Sequence, residues 1–442
     1  MLEVTPKEIT ELLDYEDKKL KMGKETEIKR ATDDLSSDSA YMYSFNCPAI
    51  DIPYGGGIGA GRIYEIFAEE SHGKTTFALN VARQFCDYWD SKGDSKYAVL
   101  WIESESALDK GRAKFMGVPI ERFIIFETDI LQHAGDKIKS MLVRCVAKDM
   151  KLLIVWDTIA ACDTINEKES GTNSGGLMEK PRVIKKILHN ITLELGQTQS
   201  TLIALNQVSI KMGQFNTSWD STGGKALKHH ASVRTHMKKI AEDNIVAKNG
   251  VKQMVGIVSE LFHVKNKMTR PKLKSLVYIN LEKGVDTLET TLRFMKANDL
   301  LKPAVGGWNK FPLPGGYAEN GKPRGMIEVK WQNTGQLRKL IKEKYPFVLE
   351  YFNYLVTDFW CQQTELLKVK HIKKLWAYEE MFLGARKSEL TNEERTVASL
   401  MHKDIEAYNS SQDAALDKES AAISAKIASS AKPKTVAKKK KK

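Results

Sequence analysis

The chain has 442 residues, a hydrophobic content of 42%, a charged content of 28% and a formal net charge of +12, as expected for a globular protein of two or three domains. No apolar run approaches the ~20 residues of a membrane span, and the five cysteines form no CxxC pair or zinc spacing. This argues against a membrane protein, a disulfide scaffold and a zinc protein, and we expect a cytoplasmic protein with reduced thiols. Residues 432–442 carry seven lysines, and removing these seven charges from +12 leaves +5.

The first predicted element is an arm. Residues 1–45 are charged and only patchily periodic, so we expect a small helical element for oligomerisation rather than a domain with its own core. A glycine-rich turn over residues 51–62 then leads into the first strand of the main domain.

Residues 63–205 alternate between short apolar runs and helical periods. This alternation predicts an α/β fold, with a mostly parallel sheet covered by helices on both faces. Longer alternating segments at 256–264 and 274–280 predict antiparallel strands that extend the sheet. The predicted strands of the parallel part are 63–67, 97–102, 123–126, 152–156 and 201–205, and the predicted helices are 75–91, 107–115, 131–148 and 178–196.

The C-terminal part is predicted to be organised differently. We expect the core to span residues 46–290, a small and mostly helical domain to span 291–395, and a flexible basic tail to span 396–442. The terminal lysines would attract nucleic acid in a salt-dependent way, and a solubilising tail is the simpler alternative.

A phosphate-binding P-loop is predicted where the first strand meets the first helix. The strand leads into a short loop that closes on Gly73, Lys74 and Thr75. Backbone N–H groups and a helix N-terminus would wrap an anion there, with Lys74 on the outer phosphates and Thr75 on Mg²⁺. Ala68 stands where this motif has its first glycine, and a positive φ at that position would cost about 1 kcal/mol. The predicted cofactor-binding residues of the loop are Glu69, Glu70, Ser71, His72, Gly73, Lys74, Thr75 and Thr76.

Carboxylates follow the next two buried strands. Asp157 ends the strand 152–156, where it is placed to order Mg²⁺ with Thr75; capping a loop is the alternative. Glu105 follows the strand 97–102 and is our candidate for polarising an attacking water, with Glu103 as second choice. An N-capping role for the following helix fits Ser104 or Ser106 better than Glu105.

Polar residues follow two further strands. Asn206 and Gln207 come after the strand 201–205, and their amides could report nucleotide state to the long polar loop that follows. A loop of this length and composition suits single-stranded nucleic acid, although a plain solvated loop is the alternative. Lys265 and Lys267 end a later strand. They would either form a solvated edge or act as cations that reach the ATP site of a neighbouring subunit.

Taken together, these segments resemble the bacterial RecA recombinases over roughly residues 45–290. The last two matching segments, 222–234 and 264–267, are far more specific to this family than a P-loop is. The matching segments are 61–66, 105–109, 206–207, 222–234 and 264–267.

The resemblance implies roles for these residues. Glu105 would be the catalytic glutamate, Gln207 the allosteric switch, and Lys265 and Lys267 the cations that reach the ATP of the adjacent protomer. ATP and Mg²⁺ would be the cofactors, and the partners would be single-stranded and double-stranded DNA, further copies in a helical filament, and single-strand-binding or mediator proteins. Two loops, 167–177 and 208–225, would bind DNA through Gly171, Thr172, Asn173, Ser174, Gly175, Gly176, Ser209, Lys211, Met212, Phe215, Asn216, Trp219, Thr222, Gly223, Gly224 and Lys225.

The chain also departs from that family. His72 replaces a small serine of the P-loop, Asp109 and Arg112 fall in the cofactor-binding segment, and Arg112 stands where the family stacks a tyrosine on adenine. The segment 298–308 looks instead like the UvsX-type recombinases of large phages, so we expect a phage-encoded or otherwise divergent member. Two alternatives stay open, a RecA-fold replicative helicase motor and a DNA-binding filament or mediator protein with a decayed ATPase.

Overall fold

A computed structural model describes residues 39–106, 108–170, 179–212, 217–222, 225–246, 250–302, 306–314, 326–345 and 348–363. They all belong to the first of the two units into which the chain divides, residues 1–378. The predicted arm up to residue 38 and the predicted basic tail lie outside the described residues, as does the stretch 364–395.

The described chain contains strands and helices in the alternation that the sequence predicts. The strands are β1 (Met42–Tyr43), β2 (Ile58–Gly59), β3 (Ile63–Ala68), β4 (Tyr97–Glu103), β5 (Phe123–Glu127), β6 (Lys151–Asp157), β7 (Thr201–Met212), β8 (Thr217–Ser221), β9 (Val233–Val246), β10 (Lys252–Asn266), β11 (Lys274–Asn280), β12 (Gly284–Val285), β13 (Asn309–Pro314) and β14 (Met326–Trp331). The helices are α1 (Pro48–Asp51), α2 (Lys74–Ser91), α3 (Lys110–Phe115), α4 (Leu131–Lys148), α5 (Ile165–Ser170), α6 (Glu179–Thr198), α7 (Lys225–His230), α8 (Thr287–Ala297), α9 (Thr334–Glu343) and α10 (Val348–Gln363).

One large sheet organises the core. Its order is β12-β11-β10-β9-β3-β7-β6-β4-β5, with β8 paired to β7. The strands from β9 to β5 are parallel to their neighbours, whereas β10, β11 and β12 add to β9 in antiparallel pairs. The predicted α/β fold with antiparallel edge strands is confirmed. Strand β9, which links the two halves, was not among the predicted strands.

Both faces of the sheet are covered. Along β4, Val99 and Trp101 belong to one hydrophobic cluster with residues of α2, while Leu100 and Ile102 belong to a second cluster with residues of α4 and α6. This alternation is the two-residue period of a strand. Because both faces are buried, these strands read in the sequence as continuous apolar runs.

The segment beyond residue 286 packs on the first of these clusters. Phe294, Phe352 and Trp360 share it with residues of α2 and β11. A two-stranded antiparallel sheet, β13 and β14, lies between the helices of this segment, where the sequence predicted mostly helix. The boundaries of the C-terminal domain stay a prediction. No helix among the described residues is long and apolar enough to cross a membrane.

The predicted second DNA-binding loop contains a hairpin. The sequence predicts an irregular loop over 208–225, whereas β7 continues to Met212 and pairs antiparallel with β8, from Val208 opposite Ser221 to Met212 opposite Thr217. Val208, Ile210 and Met212 alternate with Ser209 and Lys211, which is the signal of a strand, but the polar residues that follow led to the prediction of a loop.

Candidate nucleotide site

The P-loop lies between the end of β3 and the start of α2. Gly73 is the residue before the helix, and its φ of 95° is a left-handed conformation that favours glycine. The first-turn N–H groups of α2 have no intrahelical acceptors, and they lie at the positive end of the helix dipole. The ammonium group of Lys74 donates to the carbonyl oxygens of Ala68 (3.0 Å) and Glu69 (2.8 Å). These donors form a cradle that fits a phosphate chain.

Ala68 is a strand residue and carries no left-handed strain. It is fully buried at the end of β3, opposite Gln207, and it is not among the described residues with positive φ. The cost that a positive φ would impose on an alanine therefore does not apply. The positive φ values of the loop fall instead on Ser71 (58°) and Gly73.

The remaining loop residues differ in exposure. Glu69, Glu70 and Ser71 are exposed, His72 is half-buried and Thr76 is buried. The ring of His72 lies 3.7 Å (Nε2 to Oε2) from the Glu69 carboxylate, and burial lowers its pKa although that carboxylate opposes the shift. A neutral His72 places no charge in the cradle.

Thr75 and Asp157 meet at the carboxyl end of β6. The Thr75 hydroxyl donates to Asp157 Oδ2 at 2.7 Å. Burial raises the pKa of Asp157 to about 6, and the nearby carboxylates of Glu103 and Glu105 push it in the same direction, against the Thr75 hydrogen bond and Lys74. A cation would relieve this repulsion, and oxygen ligands of this kind suit Mg²⁺. No group of three His, Cys, Asp or Glu side chains that could hold a metal occurs in the described part of the chain. A bound Mg²⁺ would therefore take its remaining ligands from phosphate oxygens and water.

Glu103 and Glu105 differ in position. Glu103 is 4% exposed, and its carboxylate accepts hydrogen bonds from Trp101 Nε1 (3.2 Å) and from the backbone N–H of Glu105 (3.2 Å). Glu105 is exposed, and its Oε1 accepts from Gln207 Nε2 at 3.3 Å. Of the two carboxylates, only Glu105 is accessible to an incoming phosphate and water, which favours it as the base.

The helix after β4 is not capped as predicted. Helix α3 begins at Lys110, and Asp109 caps it by accepting from the backbone N–H of Arg112. Ser104 and Ser106 come too early in the chain to cap it. The Arg112 side chain donates to Thr76 Oγ1 (2.9 Å) and to the carbonyl oxygen of Leu281 (3.0 Å). Its guanidinium therefore lies beside the first turn of α2, next to the phosphate cradle.

A buried polar network joins the P-loop strand to the hairpin. Arg234 on β9 forms an ion pair with Glu65 on β3 and donates to Ser221 Oγ at 3.0 Å. The Asn206 amide donates to Glu65 Oε1 (3.1 Å) and to the Thr222 carbonyl (2.9 Å). The Thr222 hydroxyl donates back to Asn206 Oδ1 (2.6 Å). The base of the hairpin is thus held by the strand that carries the P-loop.

Sequence reasoning missed the central members of this network. Glu65 and Arg234 lay within matching segments, but neither was assigned a role. A charged residue inside an otherwise apolar strand was the available signal, since buried charges need partners. Thr222, predicted to bind DNA, has its hydroxyl committed to the network.

The two predicted trans-acting lysines lie at the end of β10. Lys265 Nζ donates to the carbonyl oxygens of Lys228 (2.6 Å) and His229 (2.9 Å), in the last turn of α7. Burial lowers the pKa of Lys265, and the charges of Lys267 and Arg234 lower it further. Lys267 is exposed.

The predicted DNA-binding residues are only partly described. Lys225 is exposed at the first position of α7. Ser209, Lys211 and Met212 lie on β7 and Trp219 on β8 by their backbone. The others lie outside the described residues: Gly171, Thr172, Asn173, Ser174, Gly175, Gly176, Phe215, Asn216, Gly223 and Gly224.

Comparison with known proteins agrees with this arrangement. The family model of the RecA N-terminal domain matches residues 8–286. Protein RecA of Fusobacterium nucleatum is 31% identical over 296 residues, covering 66% of this chain and 74% of that protein. Protein RecA of Acinetobacter baylyi is 31% identical over 299 residues, covering 67% and 80%. Protein RecA of Prochlorococcus marinus is 28% identical over 314 residues, covering 70% and 78%. With a P-loop, a strand-end aspartate and a glutamate–glutamine pair on a sheet of this topology, the chain belongs to the RecA family.

Proposed function

We propose that this protein is an ATP-dependent DNA recombinase that forms filaments on single-stranded DNA and catalyses homologous pairing and strand exchange. The observation that carries the proposal is the shared strand β7. Gln207 faces Glu105 at the candidate nucleotide site, and the same strand runs on into the hairpin of the second loop. A change at the phosphate end is thereby connected to the segment that would contact DNA.

The hydrolytic step follows from the positions of the charged groups. Lys74 would leave the carbonyl oxygens of the loop and donate to the outer phosphates, while Thr75 and Asp157 would hold Mg²⁺. When bound, the metal neutralises phosphate charge. Glu105 would accept the proton of the attacking water. Gln207, whose amide donates to the Glu105 carboxylate in the absence of nucleotide, would donate instead to an oxygen of the bound phosphate.

Assembly into filaments is supported by the edge of the sheet. Strand β5 has β4 as its one partner among the described strands, and an unpaired strand edge is a ready template for another chain. Ile124 on β5 (37% exposed) adds apolar surface to this strand, and Phe123 and Ile125 of the same strand line a cavity of about 170 Å³ together with Leu108 and Ile120. A second copy would cover this edge, and the arm 1–45 is the segment we propose for that contact.

The partners and setting follow from the same proposal. Single-stranded and double-stranded DNA would bind the two loops, and Lys265 and Lys267 would approach the nucleotide of the adjacent protomer. Single-strand-binding or mediator proteins would assist loading in the cytoplasm. The likeness of 298–308 to UvsX-type recombinases supports a phage origin, with the host cytoplasm as the site of action.

A D-loop assay tests this function. The full chain, single-stranded DNA and a homologous duplex are combined with ATP, ADP or a non-hydrolysable ATP analogue. We expect D-loops with ATP and the analogue, none with ADP, and none with Lys74→Ala. Lys139→Ala, at an exposed position on α4, is the matched control and should behave as wild type.

Two outcomes would contradict the proposal. Closed hexameric rings without helical filaments in electron micrographs would favour a helicase motor. Equal background rates of ATP hydrolysis in wild type and Lys74→Ala, with and without DNA, would favour a filament or mediator protein whose ATPase has decayed.

A further inference from the structure

The two-stranded ribbon of β13 and β14 has two different faces. Its inner face is apolar and packs on α10: Phe311 and Trp331 are buried, and their ring centroids lie 5.2 and 6.2 Å from that of Phe352. Because side chains alternate along a strand, Lys310 and Lys330 lie on the outer face, and both are exposed. The ribbon is therefore anchored through one face and presents the other to solvent.

The two lysines of the outer face lie directly opposite each other. Lys310 pairs with Lys330 in the register of the ribbon, and like charges at such positions are destabilising. Glu328 is the one carboxylate on this face among the described residues, and its Oε1 lies 2.9 Å from Lys330 Nζ. The hydrogen bond from Lys330 lowers the pKa of Glu328, and the charge of Lys310 acts in the same direction. A single carboxylate thus serves two ammonium groups, so a bound anion would relieve their repulsion.

An exposed indole accompanies the two lysines. Trp308 is 41% exposed and comes two residues before Lys310, which places it on the outer side of the ribbon. It follows a turn formed by Gly306 and Gly307, whose φ values are 60° and 79°. An aromatic ring beside cations is the composition of surfaces that bind single-stranded nucleic acid, where a base stacks on the ring and the cations contact phosphates.

We propose that the outer face of this ribbon binds an unpaired polynucleotide strand, with a base stacked on Trp308 and phosphates on Lys310 and Lys330. A duplex fits this face less well, because its bases stack on one another and leave no free face for the indole. The ribbon lies beyond residue 286, where the family match ends, so the site is additional to the two loops of the core. The choice of DNA over RNA rests on the proposed function.

The position of the ribbon in the chain has a consequence for nucleotide dependence. Its three binding side chains belong to a segment that contains none of the candidate nucleotide-site residues. Binding at the ribbon should therefore not require ATP. The two loops of the core, by contrast, are proposed to bind DNA in response to nucleotide. Omitting the nucleotide separates the ribbon site from theirs in an experiment.

Photochemical cross-linking tests the proposal. The full chain is mixed with oligothymidylate that carries one 5-iodouracil, without nucleotide, and is irradiated and digested. Mass spectrometry then identifies the cross-linked peptides. We expect a cross-link at Trp308, because iodouracil reacts with an aromatic ring on which it is stacked. The yield of this one cross-link as a function of protein concentration gives the affinity of the ribbon site alone.

A double lysine variant measures the phosphate contacts. Lys310→Thr with Lys330→Thr keeps Trp308 and replaces a repulsive pair by one that suits antiparallel strands, so its unfolding temperature should not fall. We expect about tenfold weaker binding at about 0.1 M salt and a salt slope smaller by about 1.4, since two phosphate contacts of a single strand are lost. The control is Lys139→Ala, an exposed cation of α4 on the opposite face of the large sheet, and it should change neither value.

The proposal fails if cross-links form only elsewhere, as at the lysine-rich C-terminus, or if the double variant binds as wild type does. Unlabelled oligothymidylate should compete about tenfold better than a blunt-ended duplex of the same length, and equal competition would overturn stacking on Trp308. Stronger competition by oligouridylate than by oligothymidylate would overturn the choice of DNA. A chain that fails in the D-loop assay but cross-links through Trp308 would refute recombinase function and leave the ribbon site standing.

Discussion

Gln207 donates a hydrogen bond from its side-chain amide to the carboxylate of Glu105 over 3.3 Å. Gln207 lies on β7 and Glu105 follows β4, and these two strands are separated in the sheet by β6. Their contact therefore bridges the end of β6, where Asp157 lies. A terminal phosphate bound between them would replace this bond with separate contacts to each side chain, so that the pair has two arrangements, one with and one without phosphate.

Glu105→Gln should slow ATP hydrolysis by about 10²- to 10³-fold, because the amide cannot accept a proton from water. ATP binding should stay within about threefold of wild type, since the change preserves size and the partner Gln207. Steady-state hydrolysis and fluorescent-nucleotide binding measure the two quantities. Glu103→Gln, which alters a buried carboxylate, should not reproduce this separation, and equal loss of binding and turnover in Glu105→Gln would argue against a base.

Gln207→Ala should uncouple the two sites. Hydrolysis without DNA should stay within about threefold of wild type, because general acid–base catalysis depends on Glu105, whereas stimulation by single-stranded DNA should be lost. Hydrolysis measured with and without oligothymidylate gives the ratio. Gln253→Ala, at an exposed position on β10, is the control and should retain full stimulation. Normal stimulation in Gln207→Ala would remove this residue from the coupling.

Asp157→Asn should stabilise the nucleotide-free protein while abolishing hydrolysis. The pKa of Asp157 is raised to about 6 from a model-compound value of 3.8, so its ionised form is disfavoured in the fold. The cost is complete above about pH 6, shrinks as pH falls and disappears below 3.8; at neutral pH it is on the order of 2–3 kcal/mol. Thermal unfolding at neutral and at acidic pH should show a higher midpoint for Asp157→Asn that converges with wild type in acid. A higher unfolding midpoint that does not change with pH would exclude the ionisation of Asp157 as its cause.

Arg234→Met should destabilise the fold by about 3–5 kcal/mol, since it strands the Glu65 carboxylate in the core. Both partners are buried: the exposed fraction is 7% for Arg234 and 0% for Glu65. Adding Glu65→Gln to Arg234→Met should recover most of the lost free energy of unfolding, because the double variant leaves no uncompensated charge in the core. Denaturant unfolding of the single and double variants measures the difference. Additive losses in the double variant would show that the pair does not act as a unit.

Ala68→Gly should not improve the ATPase. Ala68 is an extended residue of β3, so glycine relieves no strain, and the added chain freedom should lower the free energy of unfolding by about 0.5–1 kcal/mol. The specificity constant for ATP should change by less than about twofold. Turnover several-fold faster than wild type would show instead that position 68 limits the loop.

Much of the fold is readable from the sequence, because strands buried on both faces are uninterrupted apolar runs. The strand predicted at 152–156 is observed as Lys151–Asp157, and the helix predicted at 131–148 as Leu131–Lys148. The P-loop residues and the strand-end carboxylates are also readable, since parallel strands bring their carboxyl ends to one edge. Their individual roles stay predictions.

Other features depend on pairings that no local pattern contains. The hairpin of β7 and β8 depends on the pairing of the two strands and on the hydrogen bonds between Asn206 and Thr222 at its base. Arg234 donates hydrogen bonds to both Glu65 and Ser221, and these bonds join residues that lie far apart in the chain. The hydrogen bonds of Lys265 could not be predicted either, because its ammonium group donates to backbone carbonyl oxygens, which no side-chain pattern reveals.

Strand β3 carries the P-loop at its end and the Glu65 carboxylate at its middle, and β9 and β7 flank it on either side. This shared strand restricts how family members can diverge. Replacing the acid at position 65 alone leaves an arginine without its counter-charge, so we expect the two positions to change together from one relative to another. Position 68, by contrast, contacts Lys74 only through its backbone carbonyl oxygen, which any residue supplies, so its side chain is expected to vary independently.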